Sequence, residues 1–131
     1  MSARRVGPYA LLAELGSGGM GTVWRAESAD GAVVALKVVH EHVAAMPGFL
    51  DRFVREGEAG LRVRHENVVA TLGTGESAGR HWIALEYVEG QTLHEAIQHS
   101  PTRTLPLDRV LIVMSQVARA LPHAHSRGVI H

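Results

Sequence analysis

The stretch Leu15–Val39, LGSGGMGTVWRAESADGAVVALKVV, sets the fold of this chain. Apolar Tyr9 to Leu15 leads into it and is interrupted by Gly16, Gly18, Gly19 and Gly21; Thr22 to Glu27 then resumes as a mixed alternating run. Such a pattern predicts a strand, a flexible turn and a second strand. Asp30-Gly31 follows, a pair that tolerates positive φ and so marks a hairpin turn. The β-branched and apolar run Ala32 to Val39 closes the unit as a third antiparallel strand. Within that run stands Lys37, the chain's single lysine against twelve arginines. A lysine offers a compact point charge with rotatable donors where arginine offers a planar fork, so the two are not interchangeable at a site built around one cluster of oxygens.

Downstream, Phe49, Leu50, Phe53 and Leu61 recur at helical spacing among charges, and predict a helix between Pro47 and Arg64 that Gly57 and Gly60 weaken. Val68 to Leu72 and His81 to Tyr87 read as two further strands joined by a turn within Gly73 to Gly79. Thr92 to His99 reads as a short helix stopped by Ser100-Pro101. Leu107, Val110, Leu111, Met114, Val117, Ala118 and Leu121 then form the longest amphipathic stripe, with Asp108 suited to its positive end and Pro122 expected to kink or end it.

With 131 residues and 46% hydrophobic content, the chain can bury one domain-sized core. A formal net charge of zero supplies no general pull toward nucleic acid or an anionic membrane surface. No apolar run approaches the roughly 20 residues of a membrane helix, and no apolar segment follows Arg4-Arg5 as in a secretory signal. The lack of cysteine is compatible with a reducing compartment, so the cytoplasm is the expected location. His40-x-His42 and His123-x-His125 are pairs without a clustered third ligand, and no metal site is expected from them.

Gly16, Gly18 and Gly21 make a Gly-x-Gly-x-x-Gly pattern, which lets backbone amides approach phosphates in more than one fold. A dinucleotide-binding fingerprint must open a helix at its last glycine, whereas Thr22-Val23-Trp24 continues as a strand. The Gly-Lys-Ser/Thr ending of a P-loop is also missing. A glycine loop between two strands is a flap over phosphates.

At this point the chain resembles the protein kinase family, and within it the bacterial eukaryotic-like serine/threonine kinases, over residues 9–131. The resemblance rests on Gly18-Gly19-Met20-Gly21-Thr22-Val23, on Val34-Ala35-Leu36-Lys37 in place of Val-Ala-Ile-Lys, and on Phe53-Val54-Arg55-Glu56. It rests also on His65-Glu66-Asn67-Val68-Val69, on the segment Ile83 to Leu93, and on Gly128-Val129-Ile130-His131. It implies an α+β kinase-like fold: a five-stranded antiparallel lobe with one helix (residues 9–85), a hinge (86–90) and the first helices of the large lobe (91–131), after an N-terminal extension (1–8).

By the same resemblance, Lys37 holds the α and β phosphates of ATP and Glu56 orients Lys37. Gly16, Ser17, Gly18, Gly19, Met20 and Gly21 cover the phosphates, and Leu15, Val23 and Ala35 sandwich the adenine. Leu85 is the gatekeeper, and Glu86 and Val88 offer backbone contacts to the base. The complete enzyme would transfer the ATP γ-phosphate to Ser or Thr of a protein. Mg²⁺ is expected there, but its ligands, like the catalytic aspartate, fall after residue 131 in the family pattern. Residues 1–131 by themselves are therefore expected to be inactive. The alternative is a non-catalytic, nucleotide- or partner-binding pseudokinase remnant.

Overall fold

The computed structural model describes residues 4–129. Strands β1 (Arg5–Val6), β2 (Tyr9–Ser17), β3 (Gly21–Glu27) and β4 (Val33–Val39) are followed by helices α1 (Glu41–Ala44) and α2 (Phe49–Arg62), and then by strands β5 (Thr71–Ser77) and β6 (Arg80–Glu86). Helices α3 (Leu93–His99) and α4 (Leu107–Ser126) complete the order. The strands form one antiparallel sheet in the order β1-β2-β3-β4-β6-β5. The sheet therefore has six strands rather than the expected five. The added one, β1, is too short to carry a period, and it exists because Arg5 and Val6 pair with Ala10 and Tyr9.

The alternation of β4 distributes the rest of the molecule. Val34, Leu36 and Val38 point to one face, where they pack with Val6, Leu11, Ala26, Trp82 and Ala84. Val39 points to the other, where it meets Val43, Phe53 and Ile83 beneath α2. Both faces of β4 are covered, which is why its sequence is an almost unbroken apolar run. Lys37 shares the helix-facing side with Val39, and its neighbours across the sheet are Val23 and Ile83.

Turn chemistry fixes the registers. Gly31 adopts φ 88, its N–H donates to the Ser28 carbonyl at 3.0 Å, and the Ala32 N–H donates to Asp30 Oδ1 at 3.2 Å. The Ser28 hydroxyl also donates to Asp30, and these bonds, that of Ser28 above all, hold the Asp30 carboxyl below its usual range. Ala78 and Gly79, both at positive φ, turn β5 into β6 as paired left-handed residues do in tight hairpins.

Several boundaries differ from expectation. The strand predicted at Val68–Leu72 begins at Thr71 instead, because His65 to Val68 form a turn. There the Asn67 N–H donates to His65 Nδ1 at 3.0 Å and the Val68 N–H to the His65 carbonyl at 3.1 Å, so local side-chain bonding overrides the β-branched valines. Helix α1, four residues long, is too short to show a period. Pro122 neither ends nor splits α4, which runs 20 residues from Leu107 to Ser126 with Pro122 inside it.

Candidate functional site

Helix α2 is positioned by a face made of Phe53, Gly57 and Gly60 at helical spacing. Phe53 is 4% exposed and packs with Val39, Val43 and Ile83. A Cβ on Gly57 would overlap Thr74 and crowd Ile83, and one on Gly60 would overlap the Thr71 side chain. These glycines thus let α2 lie close on β5 and β6. The propensity cost expected of these glycines is set against close contact with the sheet, which a Cβ at either position would prevent.

This seating brings Glu56 to Lys37. Lys37 Nζ donates to Glu56 Oε1 at 3.1 Å, across 19 residues of sequence. The Phe53 ring lies one turn before Glu56, its centroid 6.0 Å from the ammonium, within reach of a cation–π contact. The two side chains are 28% and 57% exposed, and such a pair contributes only about 0.2–1 kcal/mol to stability. Its value is positional, since it holds one ammonium at a fixed place on the helix-facing side of the sheet.

Lys37 lines several cavities, two of which bear on the site. One, of about 240 Å³, is walled by Gly16 to Gly21, Val23 and Lys37. The other, of about 880 Å³, is lined by Lys37, Glu56, Ile83, Leu85, Val117 and Leu121 among others. Ala35 and Leu85 are cross-strand partners two residues from Lys37 and Ile83, so they extend the same sheet face. Leu15 and Val88 are exposed, at 47% and 63%. The Glu86 N–H donates to the Ala70 carbonyl at 2.8 Å, and its carboxylate accepts from the Ala70 N–H at 3.1 Å. The end of β6 is thereby fastened to the segment entering β5.

The glycine loop divides by role. Cβ atoms on Gly16, Gly18 or Gly19 would meet open space, whereas one on Gly21 would strike the Val38 carbonyl. Gly21 therefore serves strand packing, and the first three leave room for a ligand against the backbone. The loop is closed by Gly18 N–H donating to the Gly21 carbonyl at 3.0 Å and by Ser17 and Thr22 hydroxyls 3.2 Å apart. Among the described residues, the Gly19 and Met20 N–H groups donate to no protein acceptor. Free amides in a glycine-rich turn beside a single ammonium suit an anion such as a polyphosphate.

Some features were not legible beforehand. The His40 backbone N–H donates to the Met20 carbonyl at 3.1 Å, and His40 Nε2 lies 3.0 Å from the Gly18 carbonyl. No sequence pattern marks a bond across 22 residues. Asn67 Nδ2 donates to the Gln116 carbonyl at 3.1 Å, tying the turn before β5 to α4. His123 faces His65, with ring centroids 5.3 Å apart, while His40 stacks on His42. No group of three or more His, Cys, Asp or Glu suited to a metal occurs among the described residues. Of the Gly128 to His131 motif, Ile130 and His131 lie outside the described residues.

The sequence matches the protein kinase domain family over residues 9–131. It is 38% identical over 124 residues to the serine/threonine-protein kinase PknJ of Mycobacterium tuberculosis, covering 94% of this chain and 20% of that protein. It is 40% identical over 127 residues to the serine/threonine-protein kinase pkn3 of Myxococcus xanthus, covering 94% of this chain and 22% of that protein. Among solved structures, the Mycobacterium tuberculosis PknI kinase domain superposes on the whole of this chain with a TM-score of 0.84 and 32% identity. The chain spans 53% of that domain and about a fifth of the two curated relatives.

Proposed function

The chain belongs to the protein kinase domain family, and on that premise we propose that residues 9–131 form the ATP-binding part of a serine/threonine protein kinase that phosphorylates Ser or Thr of other proteins. The observation that carries this reading is the Lys37–Glu56 pair, 3.1 Å apart, whose Lys37 lines a cavity walled by Gly16 to Gly21. In this reading Lys37 holds the α and β phosphates and Glu56 keeps it from swinging into solvent. Ser17 and Met20 complete the flap with the glycines, and the adenine lies between Leu15, Val23 and Ala35, bounded by Leu85. Backbone groups of Glu86 and Val88 meet the edge of the base. Residues 9–85 are the small lobe, 86–90 the hinge and 91–131 the start of the large lobe, after an extension at 1–8. The cytoplasm, where ATP is supplied, is the proposed location.

Family members use Mg²⁺ to bridge the phosphates and neutralise charge that develops during transfer. The described residues present no clustered acidic or histidine set fit to hold it, so no step is assigned to these side chains through the metal. Their own contribution is to bind and orient the nucleotide.

Titration with ATP tests the proposal. The wild-type chain is expected to bind, and Lys37→Met to weaken binding by about tenfold or more, as for loss of a hydrogen bond to a charged group. Binding indifferent to Lys37→Met would overturn the assignment.

A further inference from the structure

We infer that His40 is a positioning residue that sets the direction in which the glycine loop presents its amides, and so tunes its hold on a polyphosphate. The inference rests on the nucleotide-binding reading above.

His40 follows directly on β4, three residues after Lys37, and grips the loop at two points. Its Nε2 is 3.0 Å from the Gly18 carbonyl oxygen, which can only accept, so Nε2 carries the proton and donates. Its backbone N–H donates to the Met20 carbonyl at 3.1 Å. A trans peptide is planar, with its C=O and N–H pointing in opposite directions. Holding the Gly18 carbonyl toward His40 therefore turns the Gly19 N–H away from it, and holding the Met20 carbonyl does the same for the Gly21 N–H. Without such a latch, Gly18 and Gly19, with open space around them, could rotate the peptide plane between them freely.

The ring is itself held. His42 stacks on it with centroids 5.4 Å apart and planes 14° from parallel. The loop side is anchored as well, since Gly21 pairs with Val39, the residue before His40. Lys37 stands on β4 and His40 directly follows that strand, so the ammonium and the latch are joined by three residues of chain rather than through the loop. Among the described residues, the His40 imidazole is the side chain that bonds the Gly18 carbonyl, while Ser17 and Thr22 meet at the base of the loop.

The test is an NMR titration of the full isotopically labelled chain with ATP and, separately, with adenosine, for wild type, Lys37→Met, His40→Ala and His40→Gln. His40→Ala is expected to weaken ATP binding by about three- to tenfold, the range for one neutral hydrogen bond, and to leave adenosine binding unchanged. His40→Gln, whose amide can donate to the same carbonyl, is expected to recover most of the loss. The Gly19 amide signal should shift in His40→Ala and return toward wild type in His40→Gln. Equal losses for ATP and adenosine would mean a general structural role, and unchanged or tighter ATP binding would mean no positioning role. Either result overturns the inference while leaving sensitivity to Lys37→Met, and so the nucleotide reading, intact. A wild type that binds ATP no better than Lys37→Met overturns both.

Discussion

Glu95 works by geometry that a residue's charge alone would not reveal. Thr92 caps α3: its hydroxyl accepts from the Glu95 N–H at 3.1 Å, while the Thr92 N–H donates to Glu95 Oε1 at 3.2 Å. The Thr92 backbone bond, then its side chain, hold the Glu95 carboxyl below the usual carboxylate range, with smaller help from His99 and His94. A carboxyl lowered on folding stabilises the fold fully above its unfolded value and loses that contribution as pH falls through the folded one. Amide protection in α3, followed by hydrogen exchange, is therefore expected to drop on acidification below the ordinary carboxylate range. Glu95→Gln should flatten that dependence, since it removes the titrating charge. The Thr-x-x-Glu spacing of this capping box stands openly in the sequence. The His40 latch has no such signal, because its partners are brought together by strand pairing.

At the scale of elements, α2 and α4 both break a propensity rule, for different reasons. In α2 the glycines are where the sheet comes closest, so Gly57→Ala gains about 1 kcal/mol of helix propensity but overpacks Thr74 and Ile83 by about 1–3 kcal/mol. A net loss of stability is expected, read as a lower urea midpoint, together with weaker ATP binding because Glu56 rides on the displaced helix. In α4, Pro122 is exposed and withholds a hydrogen bond from the turn before it. Pro122→Ala should restore that bond and raise stability by up to about 3 kcal/mol, as measured by the same denaturation. Helix α4 persists through Pro122 because Ala120 and Ala124 are buried on either side of it and the Asn67 side chain bonds to Gln116.

For the molecule as a whole, the apolar residues divide unevenly. Two clusters cover both faces of the sheet, yet the stripe on α4 stays open, with Leu107 73%, Leu111 60% and Met114 55% exposed. Contiguous apolar area of this kind favours association. Residues 1–131 expressed alone are expected to self-associate, with a light-scattering mass above the monomer's. Leu111→Glu combined with Met114→Glu should lower that mass, and a strictly monomeric wild type would refute the expectation. Among the described residues no helix is long and apolar enough to cross a membrane.

Local chemistry determined much of this protein from sequence alone. Alternation and turn pairs gave β2 to β4 as an antiparallel unit, whereas the side of the sheet on which Lys37 stands was decided by the packing of α2, since both faces of β4 are covered. The glycine pattern followed by a strand separated a flap from a dinucleotide fingerprint on local grounds as well. Tertiary structure alone decided that Gly57 and Gly60 are points of close contact with the sheet, that Pro122 is carried within α4, and that β5 starts after the Asn67 turn. It also decided that His40 holds the loop. Each of these depends on what approaches a residue from a distant part of the chain, and packing and long-range hydrogen bonds leave no periodicity for a sequence to display.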